Sequence, residues 1–274
     1  MPRRYSLDPA MPVLLRPDGT VQVGWDPRRA VMVRPPVGLT AVALAGVLRS
    51  MQSESGIEEL TREVGVSAGA LDDLVTALID AGVARPSRAR QAGRAPAVRV
   101  HGRGPLSDVV VDALRCSGAR VGHSNAPHAA MSTDGTDLVV LTDFLVVEPR
   151  LTRELHDARL PHLQVRVRDG MGLVGPLVLP GLTSCLACAD LLRSDRDAAW
   201  PAVAAQLRDT VGTADRATVL ATAALALSQI DLVLRAVRGE PSSAPATLST
   251  TLEFDASTST IVTRHWPRHP LCGC

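Results

Sequence analysis

The chain has 274 residues, 46% of them apolar and 21% charged, and a net charge of +1, the make-up of a globular protein with one large domain or two small ones. So small a net charge argues against a nucleic-acid-binding surface, and no run of about 18 apolar residues offers a membrane span. The opening MPRRYSLDPAMPVLLRPDG lacks a signal-peptide core, because Asp8 and Pro9 interrupt it; the expected compartment is the cytoplasm, where thiols stay reduced and paired cysteines point to metal more than to disulfide.

Residues 12–34 read as three short strands. PVLLR is followed by Asp18-Gly19, a two-residue turn signal. TVQVGW alternates, which would put Val21, Val23 and Trp25 on one face. AVMVR is stopped by Pro35-Pro36. Three helical stretches follow. Thr40 would cap AVALAGVLRSM, IEELTREVG would close at Gly65, and Ser67 would cap AGALDDLVTALIDAG. In the last of these, Leu71, Leu74, Val75, Leu78 and Ile79 fall at helical spacing, with Gly82 as the C′ residue. A three-stranded sheet and three helices make residues 1–84 a small winged-helix-like α+β domain. A DNA-binding helix-turn-helix is disfavoured by three aspartates and no arginine in the third helix. RPSRARQAGRAPA (85–97) is basic, aperiodic and rich in Pro, Gly and Ser, and reads as a linker.

From residue 98 to 274 strands and helices alternate. VRVHGRG leads into a glycine turn, LSDVVVDALRCSG is a helix ended by Gly118, and ARVGH is the next strand. DLVVLTD is apolar enough for a strand buried on both faces. RLTRELHDARL, LQVRVRD and MGLVGPLVLPG continue as helix, strand and further strand. This order predicts a Rossmann-like, mostly parallel sheet. Two helices, SCLACADLLRSD and AAWPAVAAQLRD, come next. The long stretch 216–237 is broken by Ser228, Gln229 and Asp231 and reads as a buried core helix. ATLSTTLEFD and STIVTRHW predict a closing hairpin.

Four cysteines form two close pairs, Cys185 and Cys188 as CxxC, Cys272 and Cys274 as CxC. Two thiolate pairs are what a tetrahedral structural zinc site uses, and four protein ligands leave no position for water. Four unrelated buried cysteines, or a redox CxxC, are the alternatives. The fifth, Cys116, lies on the apolar side of a helix and reads as core. His265 and His269 would be exposed neighbours of the terminal cysteines, or partners behind the metal ligands. Gly102 and Gly104 sit between a strand and a helix, the setting of a nucleotide-binding turn. The match is incomplete. Ser107 replaces a third glycine, Pro105 removes an N–H, and the second strand ends in His123, Ser124 and Asn125 with no acidic residue for a ribose.

VGPLVLPGLTSCLACADLLRSDRDAAWPAVAAQL, together with RHWPRHPLCGC, resembles the C-terminal part of actinobacterial ThiF-like proteins. These are cyclodehydratase-domain or leader-peptide-binding proteins of thiazole/oxazole-modified peptide pathways, within the adenylating superfamily of ubiquitin-activating-type enzymes. The resemblance implies that Cys185, Cys188, Cys272 and Cys274 hold a structural zinc, and that the N-terminal domain is a peptide-recognition element. Active members use a fuller glycine loop, an acidic residue after the second strand, and Arg and Lys contacts to ATP. Here all 29 basic residues are arginine, and ATP is not expected to bind. The expected function is therefore a non-catalytic scaffold, active as a homodimer or docked on a modifying enzyme. It would capture a leader peptide by strand addition along Val31, Met32, Val33 and Arg34, with the helix 68–81 walling the groove. An active adenylyltransferase using Gly102 and Gly104, and a winged-helix transcription regulator, are the alternatives.

Overall fold

The computed structural model describes residues 4–53, 55–56, 68–87, 94–125 and 135–274. Internal contacts divide the chain into Met1–Gly93 and Arg94–Cys274, and each unit has its own apolar core.

In the first unit, β2 (Val13–Leu15), β3 (Val21–Val23) and β4 (Val31–Val33) form an antiparallel sheet in that order. Asp18 shapes the first turn. Its carboxylate accepts from the Thr20 N–H at 3.0 Å and the Thr20 hydroxyl at 2.7 Å, while Gly19 takes the left-handed φ of 81°. The register sets Leu14, Gln22 and Met32 side by side on one face and Leu15, Val21 and Val33 on the other. Val21 and Val23 are fully buried, but Trp25 is 76% exposed. The expected alternation ends at Gly24, whose φ of 88° turns the chain before the indole.

A second antiparallel sheet was not expected. β1 (Arg4–Leu7) lies between β5 (Ser55–Gly56) and β6 (Ala84–Ser87), so residues 85–87, read as the start of a linker, are paired backbone. The unit therefore carries two small sheets and not one. Of its helices, α1 (Ala41–Ser50) is capped by the Thr40 hydroxyl, which accepts from the Ala43 N–H. α2 (Ala68–Asp80) ends in a Schellman motif: Gly82 sits at φ 73°, its N–H bonds the Ile79 carbonyl, and the Val83 N–H bonds that of Leu78. Leu74, Val75 and Leu78 belong to the core. The short helix expected at 57–65 and the cap Ser67 lie outside the described residues.

The second unit follows the expected alternation: β7 (Ala97–His101), α3 (Pro105–Arg115), β8 (Arg120–Ser124), β9 (Leu138–Thr142), α4 (Pro149–Asp157), β10 (His162–Arg168), β11 (Met171–Val178), α5 (Leu186–Arg196), α6 (Trp200–Leu207), α7 (Arg216–Val237), β12 (Thr250–Asp255) and β13 (Thr260–His265). The sheet order is β13-β12-β11-β10-β9-β7-β8. β8, β7, β9 and β10 run parallel, whereas β11, β12 and β13 pair antiparallel. The sheet is thus mixed, not mostly parallel. The cause is local: only Asp169 and Gly170, at φ 51° and 77°, join β10 to β11. Two left-handed residues close a hairpin and leave no chain for a crossover helix.

β9 is buried at all five positions, as a central parallel strand should be. α7 is long and apolar enough to cross a membrane, but it buries a stripe of Thr218, Val219, Thr222, Ala223, Ala226, Ile230 and Leu234 and packs on α3, β10, β11 and β12. Small residues in that stripe let the helix lie close to the sheet. Gly212, just before this helix, meets β10 more closely still, since a Cβ there would overlap the Val167 carbonyl oxygen. Backbone in a paired strand cannot yield, so Gly212→Ala is expected to lose about 2–3 kcal/mol in urea denaturation.

Candidate functional site

Cys185 is the N-cap of α5 and Cys188 lies in its first turn. The turn after β13 carries Cys272 and Cys274 to them. All four Sγ atoms lie within 4.8 Å of one another, with 3.8 Å between Cys185 and Cys188, 3.5 Å between Cys185 and Cys272, and 3.4 Å between Cys188 and Cys274. A tetrahedral ion with metal–sulfur bonds of about 2.3 Å needs sulfur–sulfur edges of about 3.8 Å. The four cysteines are free thiols, with Cys185 and Cys188 buried, so the set can hold a metal ion and offers it no position for water.

The thiols titrate unequally. Burial drives Cys185 well above the ordinary thiol range and lifts Cys274 to about 11. Burial also raises Cys188, but hydrogen bonds at the His269 and Cys185 backbone and from the Cys274 and Cys272 thiols outweigh it and bring it down to about 7. Cys188 is ready to ionise, and Cys185 and Cys274 resist until a cation offsets their desolvation.

His269 shapes the last turn. Its Nδ1 accepts from the Leu271 N–H at 3.1 Å, which leaves the proton on Nε2, 2.9 Å from the Asp195 carboxylate of α5. The Cys272 N–H in turn bonds the His269 carbonyl at 3.0 Å. His269 is therefore buried, not an exposed neighbour, whereas His265 is exposed on β13. Cys116 also departs from expectation. It is the C-cap of α3 and is exposed, because the helix ends before the thiol reaches the core.

The glycine turn lies where the sequence placed it, between β7 and α3, at the carboxyl ends of the parallel strands. Its contacts are internal. A Cβ at Gly102 would overlap Thr142, and one at Gly104 would come within 2.7 Å of the Asp143 carboxylate. Both glycines are thus accounted for by close approach of the chain's own next strand. Asp143 is the residue that sequence reasoning missed. It is 1% exposed, with φ 67°, and its carboxylate accepts from the Leu106 N–H at 3.0 Å and the Ser107 N–H at 3.1 Å. Those are the N-terminal donors of α3, the groups a phosphate would use. The opening beside them, lined by His101, Thr142, Phe144 and Arg208, is about 10 Å³, room for one water. Burial also holds the His101 pKa down, with His123 and Arg99 adding to it.

In the first unit β4 pairs only with β3 among the described residues, which leaves Val31, Met32 and Val33 on a free edge, followed by exposed Arg34. Met32 is 51% exposed.

No protein-family model and no curated protein sequence matches the chain. Solved structures do. The heterocyclase TruD superposes with a TM-score of 0.68 at 16% identity, over 99% of this chain and 42% of its own. A heterocyclase in complex with substrate and cofactor gives 0.67 at 16%, over 100% of this chain and 39% of its own. Escherichia coli MccB with ATP gives 0.56 at 12%, over 98% and 99%. The chain has their fold. It spans about two fifths of the heterocyclases and nearly the full length of MccB.

Proposed function

We propose that this chain is the peptide-binding, non-catalytic part of a machinery that modifies peptides. Its second unit would be a ThiF-like scaffold held by a structural zinc on Cys185, Cys188, Cys272 and Cys274. The observation that carries the reading is Asp143: a buried carboxylate occupies the helix N-terminus that ATP phosphates would need, and like charge repels them. The likeness to heterocyclases more than twice as long supports a division of labour. The chemistry would sit on another polypeptide segment, and the scaffold would present the peptide to it. The free edge of β4 offers main-chain donors and acceptors to an extended peptide, and exposed Met32 offers an apolar side-chain contact.

Fluorescence anisotropy with labelled precursor leader peptides tests this. Saturable binding is expected without ATP, and Met32→Pro, which removes the N–H that β4 turns to its free edge while Val31 and Val33 stay paired with β3, should weaken it at least tenfold. Failure of every leader peptide to bind folded protein would overturn the reading.

An adenylyltransferase is the second reading. Full-length likeness to MccB, whose structures hold ATP or AMPCPP with MccA, favours it. It requires peptide-dependent ATP–pyrophosphate exchange, and the occupied α3 N-terminus predicts none.

A further inference from the structure

A second opening in the second unit shares Val146 and Val147 with the one beside the glycine turn, but neither the glycines nor the cysteines line it. It is a cavity of about 450 Å³ between β10, the segment 145–147, α5 and α6, a size suited to a small ligand (about 300–1,000 Å³ is usual). Gln164, Arg166 and Arg168 of β10 face it, while Leu163, Val165 and Val167 go to the core beneath α7. β10 pairs with β9 only as far as Val165 and Thr142, so Arg166 and Arg168 stand beyond the carboxyl end of the neighbouring parallel strand. Ligands of open α/β sheets bind at such ends.

Five arginines line the cavity, Arg166, Arg168, Arg193, Arg196 and Arg264, against three aspartates, Asp169, Asp190 and Asp197. The aspartates do not neutralise the deepest cation. Arg166 is 7% exposed, and its guanidinium donates from Nη1 to the Leu145 carbonyl at 2.7 Å. Among the described residues no carboxylate lies within 4.0 Å of it. Burial, with Arg193 and Arg168 adding to it and the more distant Asp190 and Glu253 opposing it, lowers its pKa to about 9, so it stays charged at neutral pH. A buried cation resting on one carbonyl is costly unless an anion joins it.

The surrounding arginines are already held in place. Arg193 pairs with Asp190 at 2.8 Å and lies over the Trp200 and Trp266 rings at 5.1 and 4.7 Å. Glu253, outside the cavity lining, holds Arg264 at 2.9 Å and Arg168 at 3.9 Å. Guanidinium forks fixed this way lose little freedom when an oxyanion arrives.

We propose that this arginine-lined cavity binds a compact, multiply charged oxyanion of the phosphate class, with Arg166 at its floor and Arg168, Arg193 and Arg264 on its walls. Several converging guanidiniums match an anion with three or more oxygens better than a monocarboxylate, which offers two. The proposal does not rest on peptide recognition, so the two can fail separately.

Isothermal titration calorimetry on the full, metal-loaded chain in 0.1 M NaCl tests it, with pyrophosphate, inorganic phosphate and citrate as probes. One-to-one saturable binding of pyrophosphate or phosphate is expected. Arg168→Gln and Arg264→Gln should each weaken it at least tenfold, while Arg115→Gln, on α3, leaves it unchanged. Melting curves without ligand establish that each variant is folded; should Arg264→Gln unfold by stranding Glu253, Arg168→Gln carries the test. Citrate binding more tightly than pyrophosphate would overturn the phosphate assignment. Flat titrations, or variants that bind as well as the parent, would overturn the site.

Discussion

Deleting Cys272–Cys274 should strip the second unit of its metal and lower its melting temperature by about 10 °C or more. The terminal sulfurs reach back across 87 residues from Cys185 and 86 from Cys188. A metal clip across chain of that length removes loop entropy from the unfolded state worth about 4–5 kcal/mol in the chain-entropy picture. For a unit of this size, each kcal/mol corresponds to about 2–4 °C. Deletion would also expose the apolar surroundings of the site, where Cys185 and Cys188 pack with Val139, Leu141 and Leu186. Metal analysis with a chromophoric chelator and calorimetric melting measure both effects. Cys116→Ser, at an exposed thiol, should change neither. A truncated chain that keeps one zinc per molecule and its melting temperature would mean that the four sulfurs meet without a metal.

The cysteine cluster was legible because ligand chemistry is carried by residue type. Two close pairs announce themselves even though Cys272 lies 84 positions after Cys188. The strand–helix alternation of the second unit was legible from periodicity, and β9 from its unbroken apolar run. Other features were not. The reversal at Asp169-Gly170 turns a parallel sheet into a mixed one; the Asp-Gly hairpin signal was present, but the strand–helix alternation before it set the expectation of parallel strands. The sheet built on β1 depends on partners about 50 and 80 residues away, which no local pattern encodes. The burial of His269 depends on Asp195 in a different helix. Arg166 likewise looked like one arginine among 29, because the lack of a carboxylate within 4.0 Å among the described residues is a property of the folded neighbourhood. The glycine turn was legible only in part. Its spacing was real, but what approaches Gly102 and Gly104 is β9's own end, and that is visible only once β7 and β9 are adjacent.

Asp143 carries the second large expected effect. Asp143→Ala should cost about 4 kcal/mol, and Asp143→Asn about 1–2 kcal/mol. The carboxylate is buried and serves the N–H groups of Leu106 and Ser107 at once. Alanine would leave both donors buried without a partner, each worth about 1.5–3 kcal/mol as a bond to a charged group. It would also hold φ near 67° without the side-chain hydrogen bonding that lets aspartate and asparagine adopt that conformation, about 1 kcal/mol more. Asparagine tolerates the backbone and keeps one acceptor oxygen, so it isolates the value of the charge and of the second bond. Urea denaturation at unchanged m-value reads both variants. The order also bears on ATP. If Asp143→Asn matches the parent, the carboxylate is not needed at the head of α3, and the N-terminal donors there are free for a phosphate. If it falls where expected, that helix end is satisfied from within, and a nucleotide would have to displace a buried charge to use it.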